Sequence, residues 1–145
     1  DDGSTLFDSP VICEYLNQAG GGKFFPVDTM WKAATGRWKA LGLQALADGV
    51  ADAAVALRYE MVEPEERRSA DRIARCRATI NAGIDALERV KFAKDVTIGE
   101  ISAGCALGYI DFRLTDLDWK SSHPNLSAWY ARFSEYPSMK ATAPA

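Results

Sequence analysis

The chain has 145 residues, a net charge of −3 and a pI near 5.2. Its 48% hydrophobic and 26% charged residues are the proportions of a globular protein with enough apolar surface for a core. The mild negative balance argues against nucleic acid or a membrane surface as partner, and no apolar run reads as long enough to span a bilayer.

Asp1-Asp2-Gly3 opens the sequence without Met and without a basic-then-apolar leader. We therefore expect a fragment, a processed form or the ordered part of something longer. Asp2-Gly3 is a hairpin signal and Leu6-Phe7 is apolar, which predicts a turn and a short strand whose partner would lie upstream. A helix follows, with Ser9 as N-cap and Pro10 at its first position, ending at Gly20-Gly21-Gly22. The stretch from Gly20 to about Asp28 reads as a linker. A long helix is expected from about Thr29 to Met61. Another runs from about Pro64 to Phe92, with Ile73, Cys76, Ile80, Ile84 and Leu87 on one face. Thr97-Ile98-Gly99-Glu100 is a capping box, with Val96 and Ile101 as a hydrophobic staple. The helix it opens is apolar nearly all round to Phe112 and should be the central one. A last helix is predicted from about Pro124 to Glu135, stopped by Pro137. Cys13, Cys76 and Cys105 form no CxxC pair. They read as small buried hydrophobes of a reducing, cytoplasmic compartment, with no metal site.

Two groups of polar residues stand out. Asp8-Ser9 lies at a strand-to-helix junction, where free N–H groups and the positive helix end favour an anion. A hydroxyl beside a carboxylate there suits an amino-acid head group, although Ser9 as a plain helix cap explains the same pair. On the long helix, Gln44, Asp48 and Asp52 are the only strongly polar residues between Leu43 and Leu57, spaced i, i+4, i+8. A stripe this narrow fits the wall of a cleft or a subunit interface, or a thin exposed strip. Trp31, Trp38, Tyr59, Tyr109, Trp119, Trp129 and Tyr130 read mostly as core, with one or two available to line an apolar pocket. The Arg-rich start of the helix after Pro64 is interspersed with acids and reads as a salt-bridged surface.

In this order the pieces resemble the glutathione transferase family, over essentially the whole chain. Gly3 to Leu16 (GSTLFDSPVICEYL) looks like the final strand and following helix of the family's thioredoxin-like domain. Ala47 to Asp52 (ADGVAD) is similar to its first long helix, Thr97 to Glu100 to its helix-capping box, and Pro124 to Thr142 to the ending of bacterial members. Glu100 stands where Asp is usual and Gly99 where Ala is usual.

The resemblance implies a mainly α fold. Residues 1–22 would be the C-terminal remnant of the thioredoxin-like glutathione-binding domain, with a linker to about 28, and residues 29–145 the all-helical domain. It implies that Asp8 and Ser9 hold the γ-glutamyl group, that Asp52 reaches the glutathione of the partner subunit in a homodimer, and that Gln44 and Asp48 wall the pocket of a small hydrophobic electrophile. Glutathione would be a co-substrate. The Tyr, Ser or Cys that activates its thiol has no counterpart in this chain, so no catalytic residue is assigned, and Cys13 reads as packing. A non-catalytic binding or assembly module on the same fold is the alternative.

Overall fold

The computed structural model describes residues 3–27 and 36–144. Among them it forms six α-helices and one 3₁₀ turn, and no strand. Ser4–Phe7 is irregular, in place of the expected strand. A strand exists only through ladder bonds to a neighbour, and none is present among the described residues.

Helix α1 spans Ser9–Ala19. Its N-cap is Asp8, whose carboxylate accepts from the Ser9 N–H, so the cap lies one residue earlier than the sequence suggested. The helix ends where Gly20 N–H bonds Leu16 O at 2.9 Å and Gly22 N–H bonds Asn17 O at 2.7 Å. Gly21 and Gly22 take φ of +94° and +71°, the left-handed turn that side chains resist.

Helix α2, Gly36–Val62, is the spine. The expected start near Thr29 lies outside the described residues. Ala40, Leu43, Ala47, Val50, Ala54 and Leu57 recur every three or four positions and are all buried. The expectation that no segment is long and apolar enough to cross a membrane fails for α2, which is, by length and composition. Its many alanines and leucines keep mean hydropathy high, while its apolar residues are spent on contacts with α3 and α4.

Helix α3 runs over Ala70–Glu88, shorter at both ends than expected. Pro64 opens only the 3₁₀ turn Glu65–Arg67. The helix proper waits for Ser69, whose hydroxyl accepts from Arg72 N–H at 3.3 Å. Buried Glu60 fixes this corner by accepting from Ser69 N–H at 2.6 Å and pairing with Arg72 at 3.4 Å. The arginines take the expected surface role, Arg77 pairing with Asp116 at 2.6 Å.

Helix α4, Ile98–Arg113, is central as predicted, with Ala103, Ala106, Leu107 and Ile110 at 1% exposure or less. Helix α5 spans Pro124–Phe133 and α6 spans Pro137–Ala141. Pro137 thus starts a short helix as well as ending the previous one, since a missing N–H costs nothing in a first turn. Trp129 of α5 stacks between Phe92, at 3.8 Å, and Phe133, at 4.9 Å.

Candidate functional site

The junction of α1, α2 and α4 gathers the polar residues singled out in the sequence. Three contacts seat α1 there. Glu14 pairs with Arg37 of α2 at 2.6 Å. Asn17 Oδ1 accepts from Phe24 N–H, and Phe24 O accepts from Ile98 N–H, both at 2.8 Å. Cys13 packs against Phe25, Ala40 and Ile98. Asp8 and Ser9 are left exposed at the head of α1.

The stripe on α2 grades outward: Gln44 is buried at 5% exposure, Asp48 is half-buried and Asp52 is exposed. Burial raises the pKa of Asp48, as do the negative charges of Asp52 and Asp8, against a lowering hydrogen bond from Ser102 of α4. Asp8, Asp48 and Asp52 therefore share one electrostatic neighbourhood, while Gln44 belongs to the packed side of the helix. A concentration of carboxylates at a helix N-terminus can receive a zwitterion, its carboxylate on the helix end and its ammonium among the acids.

Cys105 corrects one expectation, since it is exposed, whereas Cys13 and Cys76 are half-buried. Local desolvation still raises its pKa, helped by Cys13 and by the charge of Asp48. A thiol held protonated in this way is a poor nucleophile. Among the described residues no three His, Cys, Asp or Glu side chains converge on a point that would hold a metal.

Two of the cavities border opposite stretches of α4. One of about 450 Å³ lies beneath α1, lined by Cys13, Leu16, Phe24, Phe25 and Ile101 among others. The other, about 660 Å³, lies between α4, α5 and the C-terminal segment, with Cys105, Tyr109, Phe112, Tyr130 and Met139 in its wall. Neither is lined by Gln44 or Asp48. The sequence offered Tyr109 and Tyr130 of the second cavity without distinguishing them from core, and did not single out Phe112.

The capping box forms as read. Thr97 Oγ1 accepts from Gly99 N–H at 3.2 Å, and Glu100 returns the bond, accepting from Thr97 N–H at 3.0 Å and from Ala93 N–H at 3.3 Å. A second cap was not foreseen. Glu88, at the end of α3, accepts from the N–H groups of Asn125 at 3.1 Å and Leu126 at 2.7 Å, and from the Asn125 amide at 2.7 Å. Burial opposes ionisation of Glu88, but these bonds and the nearby His123 lower its pKa.

A helical bundle with no strand among the described residues has the architecture of a glutathione-transferase C-terminal domain. The comparisons agree. The profile of the glutathione S-transferase C-terminal domain matches residues 70–132. A glutathione transferase family member from Pseudomonas fluorescens Pf-5, crystallised with S-(propanoic acid)-glutathione, is 40% identical and superposes with a TM-score of 0.89, covering 100% of this chain and 73% of that one. A glutathione S-transferase from Methylobacillus flagellatus KT with glutathione bound is 35% identical, with a TM-score of 0.85 over 99% of this chain and 72% of that one. The uncharacterized GST-like protein YibF of Escherichia coli (strain K12) is 30% identical over 132 residues; the match takes in 87% of this chain and spans 63% of YibF. The chain belongs to the glutathione transferase family.

Proposed function

We propose that residues 1–22 complete a thioredoxin-like glutathione-binding domain, that residues 29–145 are the helical domain, and that the full-length protein is a cytoplasmic, homodimeric glutathione transferase. In it the glutathione sulfur, as thiolate, attacks an electrophilic carbon with loss of a leaving group, or attacks a disulfide or peroxide. The thiol-activating residue belongs to the part of the protein upstream of this chain. The chain's own contribution is to bind and orient: Ser9 and the α1 N-terminus take the γ-glutamyl carboxylate, Asp8 takes its ammonium, and Asp52 approaches that ammonium from the partner subunit. Asp48 and Gln44 support the wall between this corner and the electrophile.

The observation that carries the reading is the exposed pair Asp8-Ser9 at the head of α1, set beside Asp48 and Asp52, in a chain 40% identical to a relative with a glutathione conjugate bound. A charge-assisted contact contributes about 1.5–3 kcal/mol. Asp52→Ala in the full-length protein should therefore weaken glutathione binding roughly ten- to hundredfold by calorimetry. Ser9→Ala should weaken it similarly. Unchanged affinity in both Asp52→Ala and Ser9→Ala would remove the site. Tight binding without turnover of any electrophile, disulfide or peroxide would favour a non-catalytic member of the family.

A further inference from the structure

His123 is the chain's one histidine, and both of its ring nitrogens meet acceptors. Nε2 lies 2.8 Å from Oδ1 of Asp85 on α3. Nδ1 lies 2.8 Å from the Trp119 carbonyl oxygen and 3.0 Å from the Ser122 hydroxyl. A neutral imidazole has one N–H and can donate to Asp85 or to Trp119, never to both. The imidazolium donates to both at once. Its side chain is 14% exposed; in the neutral ring with Nε2–H on Asp85, Nδ1 can accept from the Ser122 hydroxyl but no longer holds the Trp119 carbonyl.

We propose that His123 is a proton-operated clamp: charged, it ties the start of α5 to α3 and to the 114–123 loop, and neutral, it lets the α5–α6 unit loosen. The position gives the clamp leverage. His123 is the N-cap residue of α5, and its side chain makes no capping bond to that helix. Beyond it, Tyr130 of α5, Ser134 just after that helix, and Met139 and Lys140 of α6 line the 660 Å³ cavity. A change at His123 therefore bears on one wall of that cavity.

The charged groups around the ring favour the proton. From α3 come Asp85 and Glu88, both acidic; Glu88 is also committed to the first N–H groups of α5. On the loop, Lys120 is held by Asp111 of α4 at 2.6 Å, Asp116 pairs with Arg77, and Asp118 accepts from Ser121 N–H. The basic residue of α5, Arg132, is in its last turn. Burial opposes the charged ring, but the Asp85 bond, the Trp119 carbonyl and the charges of Asp85 and Glu88 outweigh it, so His123 titrates above its ordinary 6.5. With the folded-state pKa raised, the clamp is complete below the unfolded value of about 6.5 and is lost as pH rises through the folded one.

The test is an NMR titration of the full-length protein, the His123 ring resonance being assigned by its disappearance in His123→Gln. The proposal requires a midpoint above 6.5 that falls in Asp85→Asn. Amide protection across Leu126–Phe133, corrected for intrinsic exchange, should drop several-fold between pH 6 and pH 8 in the wild type and stay level in His123→Gln. Asp85→Asn keeps the side-chain shape and serves if His123→Gln does not fold. A wild-type midpoint at or below 6.5, or α5 protection that is level across this pH range in the wild type, overturns the clamp.

Discussion

Asp48 is a carboxyl kept half-buried on a helix whose neighbouring inward positions are Leu43, Gln44, Ala47 and Val50. Its raised pKa means that the folded chain holds the proton more tightly than the unfolded chain does. Stability is therefore greatest below the unfolded pKa and declines as pH rises through the folded one. Asp48→Asn keeps a partner for Ser102 and removes the charge. It should raise Tm at pH 7 by roughly 2 °C, with the gain shrinking toward pH 3. A Tm that falls at pH 7 would show that the ionised form is stabilised by a group we have not identified. An acid retained at a cost in stability is what a binding site would explain. At this scale the sequence placed the acids on one face of α2, because that follows from spacing alone. It did not separate buried Gln44 from exposed Asp52, because that depends on how α1 and α4 close over the helix.

The helices are held at their ends. Thr97→Ala should cost about 1 kcal/mol, measured as a shift in denaturation midpoint, since it leaves the Gly99 N–H without its acceptor. Glu88→Ala removes the acceptor of three bonds at the start of α5. It should cost about 1–2 kcal/mol, with fraying seen first in α5 amide exchange. An unchanged midpoint in either variant would refute the capping role assigned to that residue. Gly99 carries a different requirement. A Cβ there would sit 2.8 Å from both the Ala40 carbonyl oxygen and the Leu43 Cβ, so α2 and α4 meet through the missing side chain. Gly99→Ala should destabilise by roughly 1–3 kcal/mol despite alanine's better helix propensity; a rise in midpoint would contradict this. The Thr97 box was legible because its parts lie within four residues. The Glu88 cap joins residues 37 and 38 positions apart, and the Gly99 contact joins two helices, so neither leaves a local pattern to read. Pro137 misled for a related reason: a proline marks both the end of one helix and the permitted start of another.

Seen whole, the molecule has one well-buried bundle and one unfinished edge. Val11, Ile12, Tyr15 and Leu16 of α1 are 37–63% exposed, an apolar face on the helix that carries Asp8 and Ser9. If this helix is the last part of a thioredoxin-like domain, these side chains are covered in the full-length protein. The 145-residue chain should then bind an apolar fluorescent dye that Tyr15→Lys and Leu16→Lys reduce, and the full-length protein should not. Equal dye binding by both would leave the face without an internal partner. The helical fold was readable because amphipathic and all-apolar helices announce themselves by period, while the role proposed for Asp8 and Ser9 rests on a helix-end pattern that a plain cap also produces, and on the family resemblance. The measurement that bears most directly on the central claim is a crystal structure of the full-length protein with glutathione. The account predicts the γ-glutamyl carboxylate at the Ser9 hydroxyl and the N-terminus of α1, with its ammonium at Asp8 and the partner subunit's Asp52. Glutathione bound elsewhere, with Asp8 and Ser9 open to solvent, would contradict it.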